Sequence, residues 1–490
     1  MRVRLHLLLL GLGAGWLTSP AAAQAPAQLV PCKLNKGLLG WSYLAGDCKD
    51  GMLRGPGKAK APKGAVFEGE FEAGVPQGQG TLTEADGSRY EGGWKDALRE
   101  GRGKSTNARG TVYEGDWLAN QRHGQGTIKS PDGFEYTGGW LKDLRHGQGI
   151  EILPNGDRYE GAFEKGRRHG QGTLTRKDGS RHEGLFAGDQ REGRGKEAHP
   201  DGSSYEGGFK ADQRHGQGTE TLADGRRYEG EWKASLKDGQ GKETRPDGSS
   251  YQGGWEKGLA HGKGVEILSD GARYEGGFAR GKRHGQGVES LLDGTRYEGG
   301  FKDGLKDGHG KEVRKGAFEY TGDFVGGQRE GKGSLVLKDG TKYTGGWKAG
   351  KAHGHGVLTG PERSYEGAWK DGKMHGQGSL TLKDGTKYAG EFQEGKRAGR
   401  GKETRKDGSW YEGTWLGDKR HGRGTARFPK GETYAGDWKD GFAHGHGQLT
   451  LPSGEKRMGK FLGGKFVGDG RTQEADTSGD GAPDEPEGAP

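Results

Sequence analysis

The sequence predicts an all-β protein: an elongated, single-layer antiparallel meander, a solenoid of stacked β-hairpins with 23 residues per repeat. Three observations carry this. A ring, nearly always Tyr, returns at steps of 23 from Phe67 to Tyr434, with a single step of 22 at Tyr365. Counted from that ring as position 0, glycine fills positions 2, 11 and 13 of every unit and an aromatic fills position 4. Asp-Gly or a close variant stands at positions 19 and 20 of most units. Composition by itself points elsewhere: with 28% hydrophobic residues, 30% charged residues and 106 glycines among 490, it is that of a disordered chain. Disorder gives no reason to space aromatics evenly.

The elements follow in chain order. Residues 1–23 read as a signal peptide, with Arg2 and Arg4 before an apolar run and Ala21-Ala22-Ala23 as a small-residue cleavage site. The alternative, a membrane anchor, needs a longer apolar run. The chain is therefore expected to be exported, to the periplasm or cell envelope or beyond the cell. Residues 24–43 form a leader or cap. Cys32 and Cys48, 16 positions apart, are the only cysteines and are expected to pair in an oxidising compartment. A lipid-attachment motif ending at Cys32 is disfavoured by Pro31 and by the alanine-rich site upstream. Residues 44–66 are a degenerate capping unit in which Cys48 replaces the position-4 ring, so the disulfide would pin the leader onto it. Seventeen units fill 67–456, a partial unit occupies 457–470, and 471–490 is an acidic tail of disordered composition.

Positions 0, 2 and 4 alternate and so share one face of a strand, as do 11, 13, 15 and 17. The Asp-Gly between units signals a hairpin. A two-residue loop would set position 16 opposite the next Tyr. A three-residue loop, a type I turn closed by a G1 bulge, sets position 15 there, and glycines 13 and 11 opposite the next unit's positions 2 and 4. The second register is expected. The same pairing holds inside a unit if positions 5 to 10 form a longer loop. Gly207, Gly216 and Gly218 would then all be floor on which neighbouring rings lie.

The pattern Y-E-G-x-[WF]-x-x-G-x-x-H-G-x-G resembles the MORN repeat (membrane occupation and recognition nexus), over about 44–470. The resemblance implies the hairpin meander. It also implies a module for attachment, dimerisation or membrane apposition. The kinase domain that accompanies such repeats in plant lipid kinases has no counterpart here, so no kinase activity is carried over.

Rings on one side of a two-faced sheet would leave an apolar stripe partly exposed, the usual mark of an interaction surface. The candidate face is Tyr90, Trp94, Tyr113, Trp117, Tyr136, Trp140, Tyr228, Trp232, Tyr251, Trp255, Tyr343, Trp347, Tyr365, Trp369, Tyr411, Trp415, Tyr434 and Trp438. Cations at positions 8 and 9 form a candidate basic edge: Arg122, Arg145, Arg167, Arg168, Arg214, Lys282, Arg283, Lys419 and Arg420. That edge could attract anionic lipid headgroups or acidic glycans, or serve solubility alone. No catalytic motif survives inspection. Gly103-Lys104-Ser105 ends like a phosphate loop, but Leu98 stands where the upstream glycine is required. Ten histidines recur at position 10. Successive units lie ~9.6 Å apart, too far to share one zinc ion, so these histidines are expected to brace the loop by hydrogen bonds. His353/His355 and His444/His446 could at most hold a surface metal weakly. The repeated YEG glutamates recur in most units, whereas an active site is singular. The expected function is a non-enzymatic scaffold without cofactor. Its partner would be a protein, a second copy of itself, or anionic lipid, and not nucleic acid.

Overall fold

The structure, a computed structural model, describes residues 32–35, 38 and 40–468. The expected signal peptide and the expected disordered tail lie outside the described residues. These form thirty-eight strands, β1 (Ser42–Lys49) to β38 (Lys465–Gly468), and no α-helix. The chain divides into two compact units at Gly258/Leu259. The first holds β1 to β19 (Ser250–Glu256) and the second β20 (Leu259–Ile267) to β38. Within each, strands pair antiparallel with their neighbours in sequence, so each unit is a meander.

The repeat at Tyr205 shows the register. Between β16 (Gln213–Thr221) and β17 (Arg227–Lys233), Glu220 faces Tyr228, Gly218 faces Gly230 and Gly216 faces Trp232. These are the expected partners of positions 15, 13 and 11. The connecting turn is also the expected one. Gly225 N–H donates to the Leu222 carbonyl at 2.9 Å, Leu222 N–H donates to the Arg226 carbonyl at 2.8 Å, and Gly225 has φ +83°. The Asp224 carboxylate accepts from Arg226 N–H at 3.0 Å and fixes the bend.

Inside the unit the expectation fails halfway. Tyr205 faces Glu220 and Gly207 faces Gly218, but Phe209 then faces Arg214, at position 9, and Lys210 faces Gln213. Positions 5 to 10 are no open loop. Ala211 and Asp212 form a two-residue turn with φ of 47° and 67°, both in the left-handed region that a type I′ turn demands. The surplus residues are absorbed in a bulge around Gly216, whose φ is +71°. Gly216 is therefore not floor. A Cβ there would meet nothing within 4 Å, so glycine serves the backbone conformation. Gly207 and Gly218 are floor: a Cβ on Gly218 would lie 2.6 Å from the Tyr205 ring, and one on Gly207 2.5 Å from its hydroxyl oxygen.

The type I′ turns are stitched to one another. Asp212 N–H donates to the Arg191 carbonyl of the preceding turn at 3.1 Å, and Arg191 N–H donates to the Asp212 carboxylate at 3.0 Å. The opposite row of turns is looser. The unit at 343–364 is one residue short, and the loss falls there: Gly360 N–H closes onto the Arg363 carbonyl at 2.9 Å. Gly354 still faces Trp369 and Leu358 still faces Tyr365.

At the amino-terminal end Cys32 and Cys48 are joined, with Cα atoms 5.4 Å apart. Lys33 bridges to Met52, and the leader's Cys32 is buried beside Leu53, which stands at position 9 of the degenerate unit.

Gly218→Ala is expected to cost about 2–3 kcal/mol through ring displacement, and Gly216→Ala only about 1 kcal/mol through backbone strain. Amide exchange over 204–233 reads the difference; equal loss of protection would refute the separate roles.

Candidate interaction surfaces

The rings interlock along each unit. Tyr205 meets Phe209 edge-to-face at 5.2 Å and 86°, and Trp232 of the next repeat at 5.3 Å and 84°. Each such pair contributes ~0.5–1.5 kcal/mol beyond area burial. Polar tips are satisfied locally: the Tyr205 hydroxyl donates to the Gly208 carbonyl at 3.0 Å, and Trp232 Nε1–H to the Gly218 carbonyl at 3.3 Å. Burial pushes the Tyr205 phenol up to about 12, so it stays a donor at any ordinary pH.

This packing overturns the expected exposed stripe. Tyr90, Trp94, Tyr113, Trp117, Tyr136, Trp140, Tyr228, Trp232, Tyr251, Trp255, Tyr343, Trp347, Tyr365, Trp369, Tyr411, Trp415, Tyr434 and Trp438 are all between 0% and 9% exposed. Besides one another, they are covered by the position-9 side chains. Arg214 lays its guanidinium 4.5 Å from the Tyr205 centroid and 5.3 Å from that of Trp232. Arg122 sits 4.2 Å over Trp140.

The expected basic edge therefore splits. Arg167, Lys282 and Lys419, at position 8, are exposed. Arg122, Arg145, Arg168, Arg214, Arg283 and Arg420, at position 9, face the rings instead, because position 9 pairs with the aromatic at position 4. Most of them are neutralised by a carboxylate that sequence reading passed over, the Glu at position 15. Glu151 bonds Arg145 and lies 2.7 Å from Arg168. Glu403 bonds Arg397 and lies 3.1 Å from Arg420. Arg283 bridges Glu266 at 2.8 Å and Glu289 at 2.6 Å. Burial raises the Glu243 carboxyl, but Lys237 and Arg245 outweigh it and hold the group below its usual range. The signal was present: Glu at 15 tends to accompany Arg or Lys at 9, as in Lys237 with Glu243.

The other face is polar. Positions 1, 12 and 14 point there, and in the first unit they wall a groove of about 1140 Å³ between residues 171 and 252. Its floor is a row of backbone at Gly184, Gly195, Gly207, Gly218, Gly230 and Gly241, each facing the next across the sheet. Gln171, Arg194, Gln217 and Gln240 stand on one side; Lys196, Glu206, Glu229 and Lys242 stand on the other. Lys196 pairs with Glu206 at 3.2 Å.

The recurring histidines do not brace the loop as a class: buried Nδ1 atoms of His353, His375 and His421 have no hydrogen-bond partner. No three His, Cys, Asp or Glu side chains converge as a metal-ligand set among the described residues.

One unit departs from the ring rule. His182 stands where Tyr is expected, is 2% exposed, and neither ring nitrogen has a hydrogen-bond partner. It packs edge-on against Phe186 and Phe209 at 5.4 and 4.8 Å. Burial above all, then Arg191, pushes its pKa down to about 4; Glu197 pulls the other way, and Arg176 and Asp212 contribute less, with opposite signs. The unfolded chain titrates near 6.5. It therefore binds the extra proton first, and stability falls as pH drops from 6.5 towards 4, by up to about 3 kcal/mol. His182→Tyr is expected to remove that slope and to add about 1 kcal/mol at neutral pH, by supplying a hydroxyl for the Leu185 carbonyl. Amide exchange over 181–209 at several pH values checks this; an unchanged slope would refute it.

A family model for the MORN repeat matches seventeen consecutive segments, from 67–89 to 434–456. No curated protein matches the chain. Among solved structures, the SAS-4 (dCPAP) TCP domain of Drosophila melanogaster, solved with a proline-rich motif of Ana2 (dSTIL), aligns at 15% identity. That alignment covers 39% of this chain and 99% of that one, with a TM-score of 0.22. Virginiamycin B lyase of Staphylococcus aureus aligns at 11% identity over 62% of this chain and 97% of its own, with a TM-score of 0.11. Neither likeness carries an argument about this protein.

Proposed function

Since the chain belongs to the MORN-repeat family, we propose that it is a non-enzymatic repeat scaffold that binds a protein partner, itself included, along its polar, glycine-floored face. One observation carries this reading: the ring face is occupied by its own packing and lids, whereas the groove face offers backbone and long polar side chains from Gln171 to Gln252. Carboxylates recur in nearly every repeat without a distinct pair in any one, which supports a binding role over catalysis. The leader sequence and the Cys32–Cys48 pair support an exported protein in an oxidising compartment. A second reading, attraction to anionic lipid, draws on the exposed position-8 cations Arg167, Lys282 and Lys419.

Crosslinking mass spectrometry in the native envelope is expected to place partner crosslinks on Lys196 and Lys242. The double variant Arg194→Glu, Gln217→Ala is expected to weaken capture of that partner about tenfold without unfolding, since both side chains are exposed. Undiminished capture would overturn the groove. Vesicle binding that vanishes at high salt and needs Arg167, Lys282 and Lys419 would instead favour the lipid reading.

A further inference from the structure

The last described strands of the second unit form a hairpin charged in one sense. Strands β37 (Lys456–Leu462) and β38 carry Lys456, Arg457, Lys460 and Lys465 and no acid. Arg457 is paired with Glu455 at 2.8 Å. Lys456, Lys460 and Lys465 are exposed and have no carboxylate partner among the described residues. Strand β38 pairs with β37 alone, so its outer edge is open among the described residues. Around it Met458, Leu462 and Val467 are 64%, 57% and 56% exposed. Open strand edges with apolar neighbours are templates for unwanted pairing, and natural sheets cover or charge them.

The chain continues as DGRTQEADTSGDGAPDEPEGAP, which has seven acids and one arginine. Its twenty-two residues can reach roughly 70 Å, against about 24 Å for the seven-residue strand beside it. Opposite charge and a tether of no added length place this segment at millimolar effective concentration over the hairpin. A second copy's hairpin carries the same positive charge and is repelled.

We propose that segment 471–490 lies back across the terminal hairpin of its own chain, with its carboxylates on Lys456, Lys460 and Lys465, and covers the open edge of β38. The contact is electrostatic and exposed, so it weakens with salt. Zero-length carbodiimide coupling of the full chain, mixed from two isotopic labels, tests it. The expected products join these lysines to acids between 474 and 487 within one chain at low salt, and fall at least about fivefold at 0.5 M salt. In the double variant Lys460→Glu, Lys465→Glu, coupling at the remaining Lys456 is expected to fall about fivefold. A chain ending at residue 470 is expected to exchange the amides of 465–468 several-fold faster. Couplings spread evenly over the array's lysines, couplings between differently labelled copies, or indifference to charge reversal would each overturn the proposal.

Discussion

Everything in this protein depends on one fit: a tyrosine ring laid on two glycines that face each other across the sheet. At Tyr205 the floor is Gly207 and Gly218, and neither could carry a methyl group without displacing the ring. That fit lets a chain with only 28% hydrophobic residues build a core. The rings supply the apolar area, the glycines supply the room, and edge-to-face contacts bind each repeat to the next. No repeat completes its own core, because the covering Trp or Phe comes from the following one. Stability is accordingly a nearest-neighbour property.

The face bearing the rings is closed by electrostatics. Guanidinium and ammonium groups at position 9 lie on the π-faces, and position-15 glutamates join them into rows such as Arg145–Glu151–Arg168. A buried ion pair is weak evidence for stability when taken singly. Here the aromatic faces and second partners compensate for lost hydration. Repeats without the pair use apolar lids instead, as with Met374 and Leu380, both nearly buried. The polar face is what remains open, and its glycine floor leaves main-chain groups within reach.

The sequence was most legible where a residue type serves a single physical purpose. The 23-residue period, the inter-unit turn at Ala223-Asp224-Gly225 and the inter-unit register follow from glycine and ring spacing alone. The type I′ turn was hidden because Ala211-Asp212 has no glycine, although Lys257-Gly258 and Arg280-Gly281 carry the signal in other repeats. Gly216 looked like Gly218 because a glycine chosen for φ and one chosen for space are the same letter. The lids escaped for a related reason. The two-residue turn and bulge bring position 9 over the rings, and without that register Arg214 reads as a solvated edge cation.

The short repeat at 343–364 shows how length is partitioned in this fold. A residue is missing from one row of turns, yet every ring and glycine beyond it keeps its partner. Errors at that rim are local; they do not accumulate along the stack. The opposite rim has no such freedom, because each of its turns is hydrogen-bonded to the one before. The sheet thus has a permissive margin and a fixed one. Insertions, whether arising in evolution or introduced as reporters, have a natural home on the Asp-Gly side, where the molecule can gain new chemistry without altering its pitch.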